Sequence, residues 1–213
     1  MRRRYGKAGI DLKNQTLSAR ESNWDKLLKI KTSGRDDSAA DCYNYPYEPT
    51  PYCVLERLAG SGLITSKDMI LDYGCGKGRV EFFLAYQTKS KCIGIEYDER
   101  IYSKALENQK SGAASGRIRF ELANAIDFRV SEDVNRIYFF NPFSVEILRK
   151  VVGRITQSYY EKPREILLFF YYPSDEYISY LMTVEELEFV DEIDCRDLFE
   201  GEDARERIMI FQI

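Results

Sequence analysis

The chain has 213 residues, 44% hydrophobic and 31% charged, with 31 Lys and Arg against 35 Asp and Glu for a net charge of −4. That composition belongs to a folded domain with a sizeable core rather than a disordered tail, and the acidic balance disfavours long nucleic-acid duplexes as partners. There is no histidine, which removes Ser-His-Asp and Cys-His catalysis together with imidazole metal ligation.

The five cysteines, Cys42, Cys53, Cys75, Cys92 and Cys195, form no C-x-x-C pair. Neither a metal site nor a disulfide framework is therefore expected. No apolar run reaches the ~18 residues of a membrane span, and no apolar segment follows Arg2-Arg3-Arg4 as a secretory signal requires. A cytoplasmic chain without a membrane partner is the expectation.

Residues 1–44 read as a polar N-terminal extension, partly helical, with a helix from about Leu17 to Ile30 around Trp24. Residues 45–213 read as the main domain. The boundary falls in Asn44-Tyr45-Pro46-Tyr47-Glu48-Pro49-Thr50-Pro51, where three prolines forbid a helix or a sheet interior. Helical spacing follows from Pro51 to Leu63. Met69 to Tyr73 then reads as a strand, Gly78 to Thr88 as a helix, Cys92 to Tyr97 as a strand and Asp98 to Lys110 as a helix, ended by Ser111-Gly112.

Ile118 to Leu122 and Arg136 to Phe140 are the next strands. Val145, Leu148, Val151, Val152 and Ile155 carry helical periodicity. Glu165 to Tyr172 is the strongest strand signal, followed by a short helix over Asp175 to Met182. Two last strands, Leu187 to Cys195 and Ile208 to Ile213, flank the charged loop Glu200 to Glu206. The acidic run Glu185 to Glu192 reads as a solvated face. Alternating strands and helices predict an α/β, Rossmann-like, doubly wound seven-stranded sheet, mostly parallel with an antiparallel last strand.

After the first strand comes Asp72-Tyr73-Gly74-Cys75-Gly76-Lys77-Gly78. Glycines between strand and helix let the backbone turn sharply and approach a ligand, with the helix N–H groups aimed at it. Glu96 ends the second strand, where a carboxylate can accept hydrogen bonds from both hydroxyls of a ribose. The glycine spacing differs from the G-x-G-x-x-G of NAD-binding proteins.

ILDYGCGKG, GIEYDE and the closing RIMIFQI resemble the class I S-adenosylmethionine-dependent methyltransferases over roughly residues 45–213. The resemblance implies S-adenosyl-L-methionine as cofactor, held by Asp72, Gly74, Gly76, Gly78 and Glu96. Asn124 stands where many members place an acid near the adenine amine. Phe140-Asn141-Pro142-Phe143 is similar to the N-P-P-[YF] motif of methyltransferases acting on planar nitrogens. It implies Asn141 as the catalytic residue that orients the acceptor, with Pro142 and Phe143 binding substrate; a turn that merely caps the strand is the alternative. The Tyr45–Thr50 segment, Tyr47 included, resembles one that closes over the cofactor in certain protein-lysine methyltransferases, ordinary loop packing being the other reading. Arg79 either reaches a bound carboxylate or serves the structure.

The expected activity is methyl transfer to a protein side chain or a small molecule, with a nucleic-acid base also open. The rivals are a non-catalytic binding module that keeps the fold, and hydride transfer with NAD.

Overall fold

The computed structural model describes residues 17–37 and 43–213; Arg2-Arg3-Arg4 and Cys42 lie outside the described residues. In chain order the elements are α1 (Leu17–Leu28), α2 (Tyr52–Gly60), β1 (Met69–Tyr73), α3 (Arg79–Thr88), β2 (Lys91–Glu96), α4 (Glu99–Ser111) and β3 (Ile118–Leu122). They continue with β4 (Arg136–Phe139), α5 (Val145–Glu161), β5 (Leu167–Tyr171), α6 (Asp175–Leu181), β6 (Glu188–Asp194) and β7 (Arg207–Gln212). No helix among the described residues is long and apolar enough to cross a membrane.

One sheet carries the strands in the order β3-β2-β1-β4-β5-β7-β6. β1 to β5 pair in parallel, and β7 runs antiparallel to both β5 and β6. The sheet is thus the predicted doubly wound one, with its single reversed strand last in the sequence. Strand order switches between β1 and β4, so the crevice beyond their carboxyl ends is where a ligand binds in such a sheet.

β5 is buried at every position, and β1 at every position but the first. Both faces of these strands are covered, which is why they lack apolar–polar alternation. Ile70, Tyr138, Phe169 and Tyr171 face the layer of α1 to α4. Leu71, Tyr73, Ile137, Phe139, Leu168 and Phe170 face α5, α6 and the β3–β4 connection, which sends Phe128, Val130 and Val134 into the core without forming a helix. On that face Tyr73, Phe139 and Phe170 stack across three strands, with centroids 5.2 and 4.6 Å apart and rings 4° from parallel. Each such pair adds roughly 0.5–1.5 kcal/mol beyond simple burial.

Local signals explain most ends. Asp98 caps α4 by accepting from the N–H groups of Arg100 and Ile101, and Ser174 caps α6 through the Tyr177 N–H. α5 continues to Glu161, past the last apolar residue of the periodic stretch, and Arg164 then holds the carbonyls of Ser158 and Lys162. β6 is exposed along most of its length, as its acidic sequence predicts for a sheet edge.

α1 belongs to the same packed layer as α2 and α3. Its Trp24 meets Phe83 edge-on at 4.8 Å and donates from Nε1 to Glu56 Oε1 at 2.6 Å. The α1 helix ends at Lys29, which adopts a left-handed φ of 59°.

Candidate cofactor and acceptor site

β1 ends in Asp72-Tyr73 and the chain reverses through three glycines, all with positive φ: 78° at Gly74, 58° at Gly76 and 89° at Gly78. The Gly74 and Cys75 N–H groups both donate to the Ile95 carbonyl at 3.0 Å, locking the loop onto the end of β2. Gly78 is the N-cap of α3, and no side chain caps that helix. Its first N–H groups are therefore open to an anionic ligand group.

Glycine is required twice over at position 76. Besides the left-handed φ, a Cβ there would stand 2.1 Å from the Tyr47 ring. That ring belongs to the Tyr45–Thr50 strap, which crosses the loop and is held at several points. Tyr47 OH donates to the Thr32 carbonyl at 2.6 Å, the Lys77 ammonium sits 4.5 Å from the ring centroid, and Tyr47 pairs with Asp36 through a β-bridge. The prolines leave the strap these isolated contacts in place of a continuous ladder.

Two carboxyls flank the loop. Asp72 is 3% exposed, and burial raises its pKa well above the usual carboxylate range. Glu96 accepts from three backbone N–H groups, those of Gly76 at 3.0 Å and of Tyr97 and Asp98 at 2.9 Å each. Burial still pushes its pKa upward, against those hydrogen bonds. One cavity is lined by Asp72, Gly74, Cys75, Glu96, Tyr97, Asn124, Pro142, Phe143 and the strap. Most of the predicted residues meet there, but Gly76, Gly78 and Asn141 are not part of its lining; Asn141 lines a neighbouring cavity instead.

Asn124 is exposed, and its side-chain oxygen accepts from the Ile126 N–H at 3.0 Å, so it holds its own turn at the cavity rim. Asn141 has a left-handed φ of 40°; its Nδ2 donates to the Tyr172 carbonyl, and its Oδ1 is buried without a partner. The Pro142 carbonyl accepts from the Tyr45 N–H at 3.2 Å, which fastens the strap to this turn. Phe143 is 4% exposed and packs edge-on against Tyr73 and Phe139, so most of its ring lies in the core.

Arg79 is 3% exposed; it is tied into the structure and also lines the cofactor cavity. Its Nε donates to Thr32 Oγ1 at 2.7 Å, its guanidinium pairs with Glu21 and lies 4.3 Å above the Tyr52 ring, and it reaches the Thr50 carbonyl. Asp25 completes this network by accepting from Thr32 and from Tyr52 OH at 2.6 Å.

A second cavity opens on the other side of Phe140 and Asn141. It shares Tyr45, Pro46, Glu48 and Phe140 with the first and adds Arg35, Pro51, Asn141, Tyr171, Tyr172, Phe199 and Glu206. Tyr171 OH donates to Glu206 at 2.7 Å, and burial raises the Glu206 pKa. Tyr171, Tyr172, Phe199 and Glu206 did not stand out in the sequence as site residues. Glu206 belonged to a charged loop and Tyr171-Tyr172 to a strand end, and only the fold brings them to Asn141.

A seven-stranded sheet in this order, with a glycine loop after β1 and an acid after β2, defines the class I, S-adenosylmethionine-binding type of Rossmann-like fold. Residues 64–165 match a family described as a methyltransferase domain. That match spans just under half of the chain, and the fold is that of the class I S-adenosylmethionine-dependent methyltransferases, whose cofactor is S-adenosylmethionine.

Over 88 residues it is 30% identical to a protein-lysine N-methyltransferase of Saccharolobus islandicus, covering 41% of this chain and 55% of that protein. Over 73 residues it is 32% identical to a tRNA1(Val) (adenine(37)-N6)-methyltransferase of Mannheimia succiniciproducens, covering 33% of this chain and 30% of that one. The matches therefore span about half or less of those relatives. Among solved structures, an rRNA methylase from Streptococcus thermophilus aligns with a TM-score of 0.52 at 12% identity, over 78% of this chain and 96% of that one. The mitomycin 7-O-methyltransferase MmcR aligns at 0.57 and 11%, over 76% and 54%. At such identities these likenesses establish the fold.

The residues present suit the cofactor. The glycine cradle leaves no room for side chains, the α3 N–H groups are uncapped, and Asp72 is a buried carboxyl with no cationic partner.

Proposed function

We propose that this chain is a cytoplasmic enzyme that transfers a methyl group from S-adenosylmethionine to the amine nitrogen of a protein lysine side chain. The single observation that carries the lysine reading is the second cavity. It shares Tyr45, Pro46, Glu48 and Phe140 with the cofactor cavity and is lined by aromatic rings and two carboxylates, Glu48 and Glu206, which outnumber its one cation, the exposed Arg35. Aromatic faces and carboxylates together attract an ammonium on a long apolar stem. A flat nucleobase is less well served, since Phe143, the ring expected to stack on it, is packed into the core.

In this reading Asp72 receives the cofactor's ammonium, the open N–H groups of α3 its carboxylate, and Glu96 its ribose hydroxyls. Asn124 lies at the adenine end. Tyr47 and the strap exclude water from the donor side. When bound, the cofactor supplies a sulfonium-activated methyl: the nitrogen lone pair forms the new N–C bond as the C–S pair returns to sulfur. Glu48 and Glu206 draw in the lysine, which loses its proton to solvent through the open second cavity. Asn141 Oδ1 then accepts a remaining N–H and aims the lone pair. Alignment of this kind is the main contribution a protein makes to such a transfer.

The relative named for lysine methylation supports the acceptor. The test is transfer of label from S-adenosylmethionine to lysine-containing proteins and, in parallel, to tRNA and rRNA. Label recovered as methyl-lysine is the expected result. Label confined to RNA would replace lysine with a base nitrogen, and cofactor binding without transfer to any acceptor would favour a binding module.

A further inference from the structure

Glu81, on the first turn of α3, takes no part in the reading above. It is completely buried, and apart from the Asp72 carboxyl neither of its carboxyl oxygens has a side-chain hydrogen-bond partner. Its Oε1 fills the space over Gly94, where a Cβ would come within 2.1 Å of it. Across from it stands the equally buried carboxyl of Asp72, the residue that also lines the cofactor cavity.

The titratable groups that face this pair are Cys75 on the loop, Cys92 and Glu96 on β2, Tyr138 on β4 and Tyr47 on the strap. Every one is an acid. Two ionised carboxylates cannot persist together in such surroundings, because burial penalises each charge and each repels the other. A retained proton resolves both costs.

We infer that Asp72 and Glu81 form a proton-holding pair beneath the glycine loop, and that arrival of the cofactor's ammonium at Asp72 expels a proton to solvent. The ammonium supplies the positive charge the pair lacks, so the ionised form of Asp72 becomes the favoured one in the complex. Glu81 is a positioning residue here, acting through Asp72 and touching no part of the cofactor. Burial pushes the titration of both carboxyls upward, and Asp72 raises that of Glu81 further, while the hydrogen bond from Glu81 draws that of Asp72 back down. The inference rests on the S-adenosylmethionine-binding reading, and the experiment separates the two.

Calorimetric titration with S-adenosylhomocysteine, at neutral pH in phosphate and in Tris, reads the protons exchanged on binding from the difference in heats. The wild type is expected to release protons. Glu81→Gln keeps the shape, and its amide can donate to Asp72 and hold it ionised beforehand, so its release should fall toward zero. The ligand's own ammonium is common to both proteins and cancels in the comparison. Absence of binding by the wild type would sink the cofactor reading. Binding with equal heats in the two buffers, or equal release by wild type and variant, would overturn the proton-holding pair alone. If the variant does not fold, infrared difference spectra of the wild type decide. Loss of a protonated carboxyl band on binding supports the inference, and no change overturns it.

Discussion

Asn141 and Tyr172, which follow the ends of neighbouring strands β4 and β5, both have left-handed backbones, φ 40° and 51°, and are tied by a hydrogen bond from Asn141 Nδ2 to the Tyr172 carbonyl. Two such conformations side by side are costly for side-chain-bearing residues. Here they turn the Asn141 side chain so that Nδ2 is consumed and the buried Oδ1 is left without a partner beside the second cavity.

Asn141→Gly keeps that backbone accessible while removing the amide. Losing one directed hydrogen bond to a reacting amine should lower kcat by ~10–100-fold, with little change in affinity for S-adenosylhomocysteine. Steady-state kinetics beside calorimetry checks the split. A loss of cofactor affinity equal to the loss in kcat would show that Asn141 shapes the donor cavity instead.

Gly76→Ala should abolish tight cofactor binding. A left-handed alanine costs ~1–2 kcal/mol, and the Cβ must also displace the Tyr47 ring. Gly60→Ala is the control, because a Cβ there meets nothing within 4 Å. Since Gly60 lies in α2, its substitution should leave binding intact and raise stability by a few tenths of a kcal/mol up to about 1.

Glu96→Gln replaces one acceptor oxygen with a donor facing backbone N–H groups that already donate. Both the loop and the ribose contact suffer. Affinity for S-adenosylmethionine should fall by ~10–100-fold, read by calorimetry, while the melting temperature moves little.

Removing Arg79 tests the N-terminal layer. Arg79→Met leaves the Glu21 and Asp25 carboxylates without their buried cation. Breaking a buried pair from one side costs about 3–5 kcal/mol, which in a chain of this size lowers the melting temperature by roughly 10 °C. Differential scanning calorimetry gives the value, and a shift under about 2 °C would mean that the network contributes little.

Stability should decline with rising pH through neutrality in a manner that depends on Asp72. Its pKa is raised on folding, chiefly by burial. The folded state therefore binds the proton more tightly than the unfolded chain, and the associated stability is full below the unfolded carboxylate pKa. It is lost as pH rises toward the folded value. Melting temperatures of wild type and Asp72→Asn between about pH 5 and about pH 9 should diverge in slope, the variant being the flatter. Parallel curves would show that Asp72 titrates normally.

How much of this was legible in the sequence follows from the range over which each feature is determined. The seven strands, the glycine loop with Asp72 and Glu96, and the Asn141-Pro142 turn rest on periodicity or conformational demand within a few residues. They could be read directly. Strands β1 and β5 announced themselves because burial on both faces leaves only apolar side chains, and Gly76 because few other residues tolerate its φ.

The contacts that complete the site join distant segments. Tyr47 meets Gly76 across 29 residues and Asn141 meets Tyr172 across 31. The pairing of Glu81 with Asp72 follows from where α3 lies on the sheet, and Phe143 turned into the core because Tyr73 and Phe139 offered it an aromatic wall. Spacing carries no record of such meetings. Local chemistry determined the strands and the loop of this protein, while packing through the doubly wound sheet decided which carboxyls and rings surround them, since burial and charge coupling arise only once the chain has closed on itself.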